Sequence, residues 1–186
     1  MPTIISHSII GIVGGKIFAR DKMPKRFWVL STICPVLPGA DVVSFAFGIP
    51  YNHFFGHRGF FHSIPFAFLL SVSVISLFFR NEKFLSRRWW LLVFYFFFIT
   101  GSHGILDAFT NGGCGVALLS PFDDKRYFFP WTPINVSPIG IKPFFSKWGL
   151  KVLLSEFLWV WLPLGLLFIF IRTNRNKEDK ESKQIS

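Results

Sequence analysis

Five apolar stretches, separated by short blocks of lysine and arginine, decide most of what this chain can become: Ile4–Ala19, Phe27–Ile49, Phe60–Phe79, Trp89–Phe109 and Val152–Ile171. About twenty apolar residues cross a ~30 Å hydrocarbon layer as a helix. Inside that layer no water can satisfy an open backbone group, so segments of this length must be helical. The expectation is an all-α, polytopic membrane bundle of about five helices. Ile4–Ala19 is the marginal member, short and interrupted by His7, Gly11, Gly14 and Gly15, and Phe27–Ile49 is broken by Pro35 and Pro38. Charged residues make up 16% of the chain, below the quarter usual in soluble domains, which reinforces the membrane reading.

The formal charge of +10 does not point to nucleic acid, because the cations lie in blocks between apolar runs. Arg20, Lys22, Lys25 and Arg26 form one block, and Arg80, Lys83, Arg87 and Arg88 a second. Arg172, Arg175, Lys177, Lys180 and Lys183 form a third. The alternate connections are longer and poorer in cations. The positive-inside rule then puts the N-terminus outside and the C-terminus in the cytoplasm. Residues 1–171 read as one integral membrane domain, and residues 172–186, a mixed-charge run, as a disordered cytoplasmic tail. No basic region precedes the first apolar stretch, so no cleaved signal peptide is expected. Cys34 and Cys114 have no metal-type spacing and read as free thiols.

The long outer connection, residues 110–151, holds Asn111-Gly112-Gly113, the prolines 121, 130, 133 and 138, and Tyr127-Phe128-Phe129-Pro130-Trp131. It reads as a structured lid or as an interfacial segment in the headgroups, where Trp and Tyr favour the boundary.

Two polar islands interrupt the apolar pattern, Gly56-His57-Arg58-Gly59-Phe60-Phe61-His62-Ser63 and Ser102-His103-Gly104-Ile105-Leu106-Asp107. Ionisable groups at membrane depth cost roughly 2.5–3.5 kcal/mol each on insertion scales, so several together call for a use. On the topology above, His7, Asp41, His57, His62, His103, Asp107 and Glu156 all fall in the outer slab of the membrane. His103 and Asp107 stand at i and i+4, on one helix face. Imidazole mixed with carboxylate suits zinc, with manganese or iron as alternatives, and seven candidates match one to three ions. Arg58, beside His57, is placed to clamp a phosphate or carboxylate. His53 and the run Asp123-Asp124-Lys125-Arg126 read as interfacial or solvated groups with no role in the site.

At these residues the chain resembles the YdjM-like family of bacterial inner-membrane proteins, described as predicted membrane-bound metal-dependent hydrolases. The likeness rests on Gly56-His57-Arg58-Gly59-x-x-His62-Ser63 and on His103-Gly104-x-x-Asp107-Ala108-x-Thr110-Asn111-Gly112-Gly113. The run from Pro121-Phe122 through Arg126 to Trp131 supports it. The order of ligands is more distantly similar to the trinuclear zinc site of phospholipase C and P1 nuclease. Where the family carries two acids in a Pro-Asp-x-Asp turn, this chain has Pro38-Gly39-Ala40-Asp41 and keeps the second alone.

The resemblance implies a hydrolase of the cytoplasmic (inner) membrane that acts on a phosphate ester, as a small-molecule or lipid-linked substrate. Asp41, Asp107 or Glu156 would supply the base and Arg58 would hold the substrate. Membrane lipid is the expected partner and nucleic acid is not. Two rival readings are an ion or metal transporter, and a non-catalytic scaffold that keeps a structural metal.

Overall fold

The computed structural model describes residues 1–185; for Ile141, Asp179 and residues 182–185 only the backbone is described. The described residues form a helical bundle with three isolated β-bridges and no strand. The helices are α1 (Ile4–Phe18), α2 (Lys25–Ile33), α3 (Ile64–Phe78), α4 (Arg87–Ala108), a short α5 (Ile141–Phe144), α6 (Lys147–Glu156) and α7 (Leu162–Ile185).

Hydroxyl caps start most of these helices. Thr3, Ser63, Ser86 and Ser146 each precede a helix and accept a hydrogen bond from a backbone N–H of its first turn. Such side chains satisfy donors that the helix itself leaves open. Pro35 and Pro38 end α2, and the chain continues as 3-10 turns over Leu37–Phe47, bent by 45° from it. Between α6 and α7 a π turn, Phe157–Trp161, joins the two into one rod. Pro163 cannot donate to the carbonyl four residues back, and the wider turn absorbs that defect.

Two helices are long and apolar enough to cross a membrane, α4 and the Lys147–Glu178 stretch of the rod, or three if the bent pair around Pro35 and Pro38 counts as one span. The five crossings expected from the sequence are therefore not all present as full-length helices. α1 and α3 have 15 residues each; at 1.5 Å per residue they reach roughly 22 Å. In α3 the lost length lies at the site end. There Phe60–His62 form a 3-10 turn and helix proper begins only after Ser63.

Residues 172–185, expected to be disordered, instead continue α7 without a break. No Gly or Pro follows Gly165, and Arg, Lys, Glu and Gln are strong helix formers.

One end of the bundle carries a dry aromatic core. Phe27, Phe96, Ile75, Leu92 and Val93 are fully buried there, with Phe18 stacked on Tyr95. Tyr95 donates to the Gly11 carbonyl at 3.0 Å and meets Ser31 Oγ at 2.8 Å, so its hydroxyl is paired inside that core. The other end carries the polar islands.

Candidate metal centre

Five elements converge at this end: α1 brings His7, the 3-10 turns bring Asp41, the loop before α3 brings His57 and Arg58, the turn Phe60–His62 brings His62, and α4 brings His103 and Asp107. All seven side chains are buried. α4 can approach His62 this closely because of Gly104, where a Cβ would lie 2.2 Å from the His62 carbonyl oxygen.

Two triads of two histidines and one aspartate result, His7–His103–Asp107 and Asp41–His57–His62, each with ligand atoms within 4.8 Å of one another. They differ in how their polar atoms are paired. In the second triad Asp41 is saturated. Its Oδ1 accepts from His57 Nδ1 at 2.6 Å, and its Oδ2 accepts from the Arg58 backbone N–H at 2.9 Å. His62 Nδ1 lies 2.9 Å from Oδ2 as well. Arg58 has φ 61°, an uncommon conformation for a side chain with a Cβ, held here by its bond to Asp41.

The first triad is open. His103 Nδ1 donates to the Pro35 carbonyl at 2.7 Å, since a carbonyl can only accept. This leaves His103 Nε2 as a bare lone pair, 3.1 Å from His62 Nε2. The His7 ring stacks on His103 with centroids 3.8 Å apart, and neither His7 nitrogen has a hydrogen-bond partner. Asp107 is fully buried, and neither of its oxygens has an aligned hydrogen bond. Its neighbours are His62 Nε2 at 3.3 Å, Arg58 Nε at 3.0 Å and His7 Nε2 at 3.8 Å.

A proton shared between His62 and His103 would serve that one contact. It would leave His7 without a hydrogen-bond partner, and Asp107 with ion-pair contacts to Arg58 and His62 but no aligned hydrogen bond. A divalent cation would serve His7, His103 and Asp107, whose ligand atoms lie within 4.8 Å of one another, with His62 Nε2 beside them. Two bonds of ~2.1 Å span at most about 4.2 Å, and the separations of 3.1, 3.3 and 3.8 Å all lie within that reach. Asp107 faces the Arg58 guanidinium, and Asp41 faces the Arg58 backbone N–H. The residues present therefore suit a metal ion of the zinc type.

Three sequence expectations change. Arg58 is a strut rather than a substrate clamp: besides the Asp107 ion pair, it donates to the Gly112 carbonyl at 2.7 Å and to Thr110 Oγ1 at 3.0 Å, and it is buried. Glu156 does not join the triads. Its carboxylate accepts from Thr3 N and Thr3 Oγ1, both at 2.6 Å, and from Ser6 Oγ at 2.5 Å. It thus sits at the N-terminus of α1, where negative charge is favoured, and fixes the helix that carries His7. Arg126, read as solvated, is half-buried. It donates to the carbonyls of Tyr51, His57 and Arg58 and lies over the Tyr51 ring at 4.7 Å. Burial raises the Tyr51 phenol above its usual range against the pull of Arg58, so this hydroxyl is neutral at pH 7. His53 stays exposed, as expected, and Cys34 and Cys114 are free thiols.

Thr3, Ser6, Thr110 and the Pro35 carbonyl were not expected in the site. The Thr3-x-x-Ser6 hydroxyl pair ahead of an apolar run was a readable helix-start signal. No sequence pattern marks a backbone carbonyl.

The family model described as YdjM inner membrane protein matches residues 1–177. The chain belongs to the YdjM family. It is 39% identical over 172 residues to the inner membrane protein YbcI of Escherichia coli strain K12, covering 90% of this chain and 95% of that one. This is an inner membrane protein of that family, with the two His/Asp triads at one end of its bundle. No solved structure matches it.

Proposed function

We propose that this chain is a metal-dependent hydrolase of the inner membrane that cleaves a phosphate ester, with its site on the outer side. The observation that carries the reading is the open triad: the His7 nitrogens and both Asp107 oxygens are buried, convergent and without an aligned hydrogen bond. His7, His62, His103 and Asp107 would hold the ion. Bound there, a divalent cation supplies Lewis acidity toward a phosphoryl oxygen. The chain's own residues set the stage for it. Asp41 orients His57 and His62, in the manner of carboxylates that back metal-binding imidazoles. Pro35 fixes the His103 tautomer, and Arg58 holds Asp107 in place. Asp41 and Glu156 each accept from donors on both oxygens, whereas Asp107 has no aligned hydrogen bond and keeps the most acceptor capacity of the three. The outward orientation rests on the cation blocks at the opposite end of the bundle.

A conduction role has less support, because the buried Phe27, Phe96 and Ile75 side chains pack into an aromatic core beyond the site. The test is a screen of the purified protein on phosphomonoesters and phosphodiesters, with zinc or manganese added back after chelation. Activity that needs metal and is lost in His103→Ala and Asp107→Ala supports the reading. Stoichiometric metal without any activity would favour the structural-metal scaffold.

A further inference from the structure

A cavity of about 840 Å³ opens beside the open triad, and two of its lining residues are His7 and His103. The volume falls within the ~300–1,000 Å³ of small-molecule sites. Its walls come from α1, the end of α2, the 3-10 turns and the segment 137–145, and none of its described lining residues is Asp, Glu, Lys or Arg. Ile4, Ile5, Ile33, Leu37, Ile139 and Phe145 all line it while remaining exposed, Phe145 at 82%. In an inner membrane protein, exposed apolar side chains of this kind have lipid as their solvent. The polar end is equally defined: His7 is fully buried, both its nitrogens are unpaired, and it forms part of the lining. Gly39 keeps the junction open, since a Cβ there would stand 3.0 Å from His103 Cε1 and 2.6 Å from the Met1 methyl.

An apolar passage that runs from a lipid-facing rim to a cluster of imidazoles discriminates between substrates. A water-soluble phosphate ester finds few donors on these walls, the hydroxyls of Thr3, Ser8, Thr32 and Ser137 and the Met1 end, and must shed most of its hydration to pass them. A hydrocarbon chain exchanges one apolar surrounding for another as it leaves the bilayer, so its entry costs little. We infer that the cavity takes an acyl chain of a phosphate-headed lipid, which enters sideways from the bilayer and brings its headgroup to His7 and His103. This rests on the proposed hydrolase reading for the role of the headgroup, though not for the seating of the chain.

The test is photolabelling in nanodiscs that carry a trace of phosphatidic acid with a diazirine in its acyl chain, with labelled residues mapped by mass spectrometry. Wild-type protein should label at Val36 and Pro138–Phe145 several-fold above the exposed faces around Leu69 and Phe98. Ser8→Trp and Ala40→Trp, two independent ways to fill the cavity, should each cut that labelling at least five-fold. Leu69→Trp should leave it unchanged. Excess lysophosphatidate should compete, and glycerol phosphate should not. Labelling at the cavity no higher than at Leu69 and Phe98, or unaffected by both filling substitutions, would overturn the inference. Metal content measured on the same samples separates the two readings. Metal retained without cavity labelling removes the lipid inference alone, and cavity labelling without metal removes the hydrolase reading alone.

Discussion

The two triads have the same composition, two histidines and an aspartate, and opposite states. Around Asp41 the carboxylate is surrounded by donors, and His57 and the Arg58 backbone are held at hydrogen-bond distance. Around Asp107 the carboxylate meets imidazole nitrogens and a guanidinium without an aligned hydrogen bond, and neither His7 nitrogen has a hydrogen-bond partner. Six of the eight unpaired buried side-chain atoms among the described residues belong to His7, Arg58, His62 and Asp107; Ser44 and Thr100 hold the other two. Buried polar groups are normally hydrogen-bonded, so a concentration of misaligned ones at one place, even with Arg58 Nε against Asp107 and His62 Nδ1 against Asp41, marks a candidate ligand site. The saturated triad is the frame, and the open triad is where an ion would sit.

Substitutions break this contrast in graded ways. Asp107→Asn keeps the size and removes the charge that attracts the ion. Chelator competition should show metal affinity falling by more than the ~10–100-fold typical of losing an outer partner. Arg58→Met leaves Asp107 as an uncompensated buried charge in the metal-free protein, which should cost about 3–5 kcal/mol of stability. Thermal unfolding in detergent after chelation would read that loss, and added zinc should recover part of it, because a ligand that binds the folded form stabilises it. Asp41→Asn disturbs only the orientation of His57 and His62, and metal affinity should weaken by ~10–100-fold with metal still bound at saturation. An effect as large as that of Asp107→Asn would mean that Asp41 is itself a ligand. The smallest change is expected from Tyr95→Phe in the dry core, about 1 kcal/mol of stability with metal affinity untouched.

Much of this frame was legible in the sequence, for reasons that differ by residue. The apolar runs marked the helices, since about twenty consecutive apolar residues form a spanning helix by themselves. His103 and Asp107 were readable as partners because helical spacing places i and i+4 on one face. His7, Asp41, His57 and His62 were readable only as residues at one depth; which of them pair depends on how the helices pack. Arg58 shows the limit of that reasoning. Arginine beside histidine looked like a substrate clamp, yet Thr110 and the Gly112 carbonyl, more than fifty residues away, occupy its guanidinium. Glu156 falls outside the triads for a reason just as distant in sequence, because its partners Thr3 and Ser6 stand at the far end of the chain. The charged tail differed in another way, where composition suggested disorder and uninterrupted helix propensity won.

The central claim is that the open triad holds an ion. Elemental mass spectrometry of the protein purified without chelator tests it most directly, with Asp107→Asn prepared in parallel and circular dichroism confirming that both are helical. The account predicts near-stoichiometric zinc or manganese in the wild type and a large loss in the variant. A folded wild type free of divalent metal that takes up none on addition, or a variant that holds as much as the wild type, would contradict it.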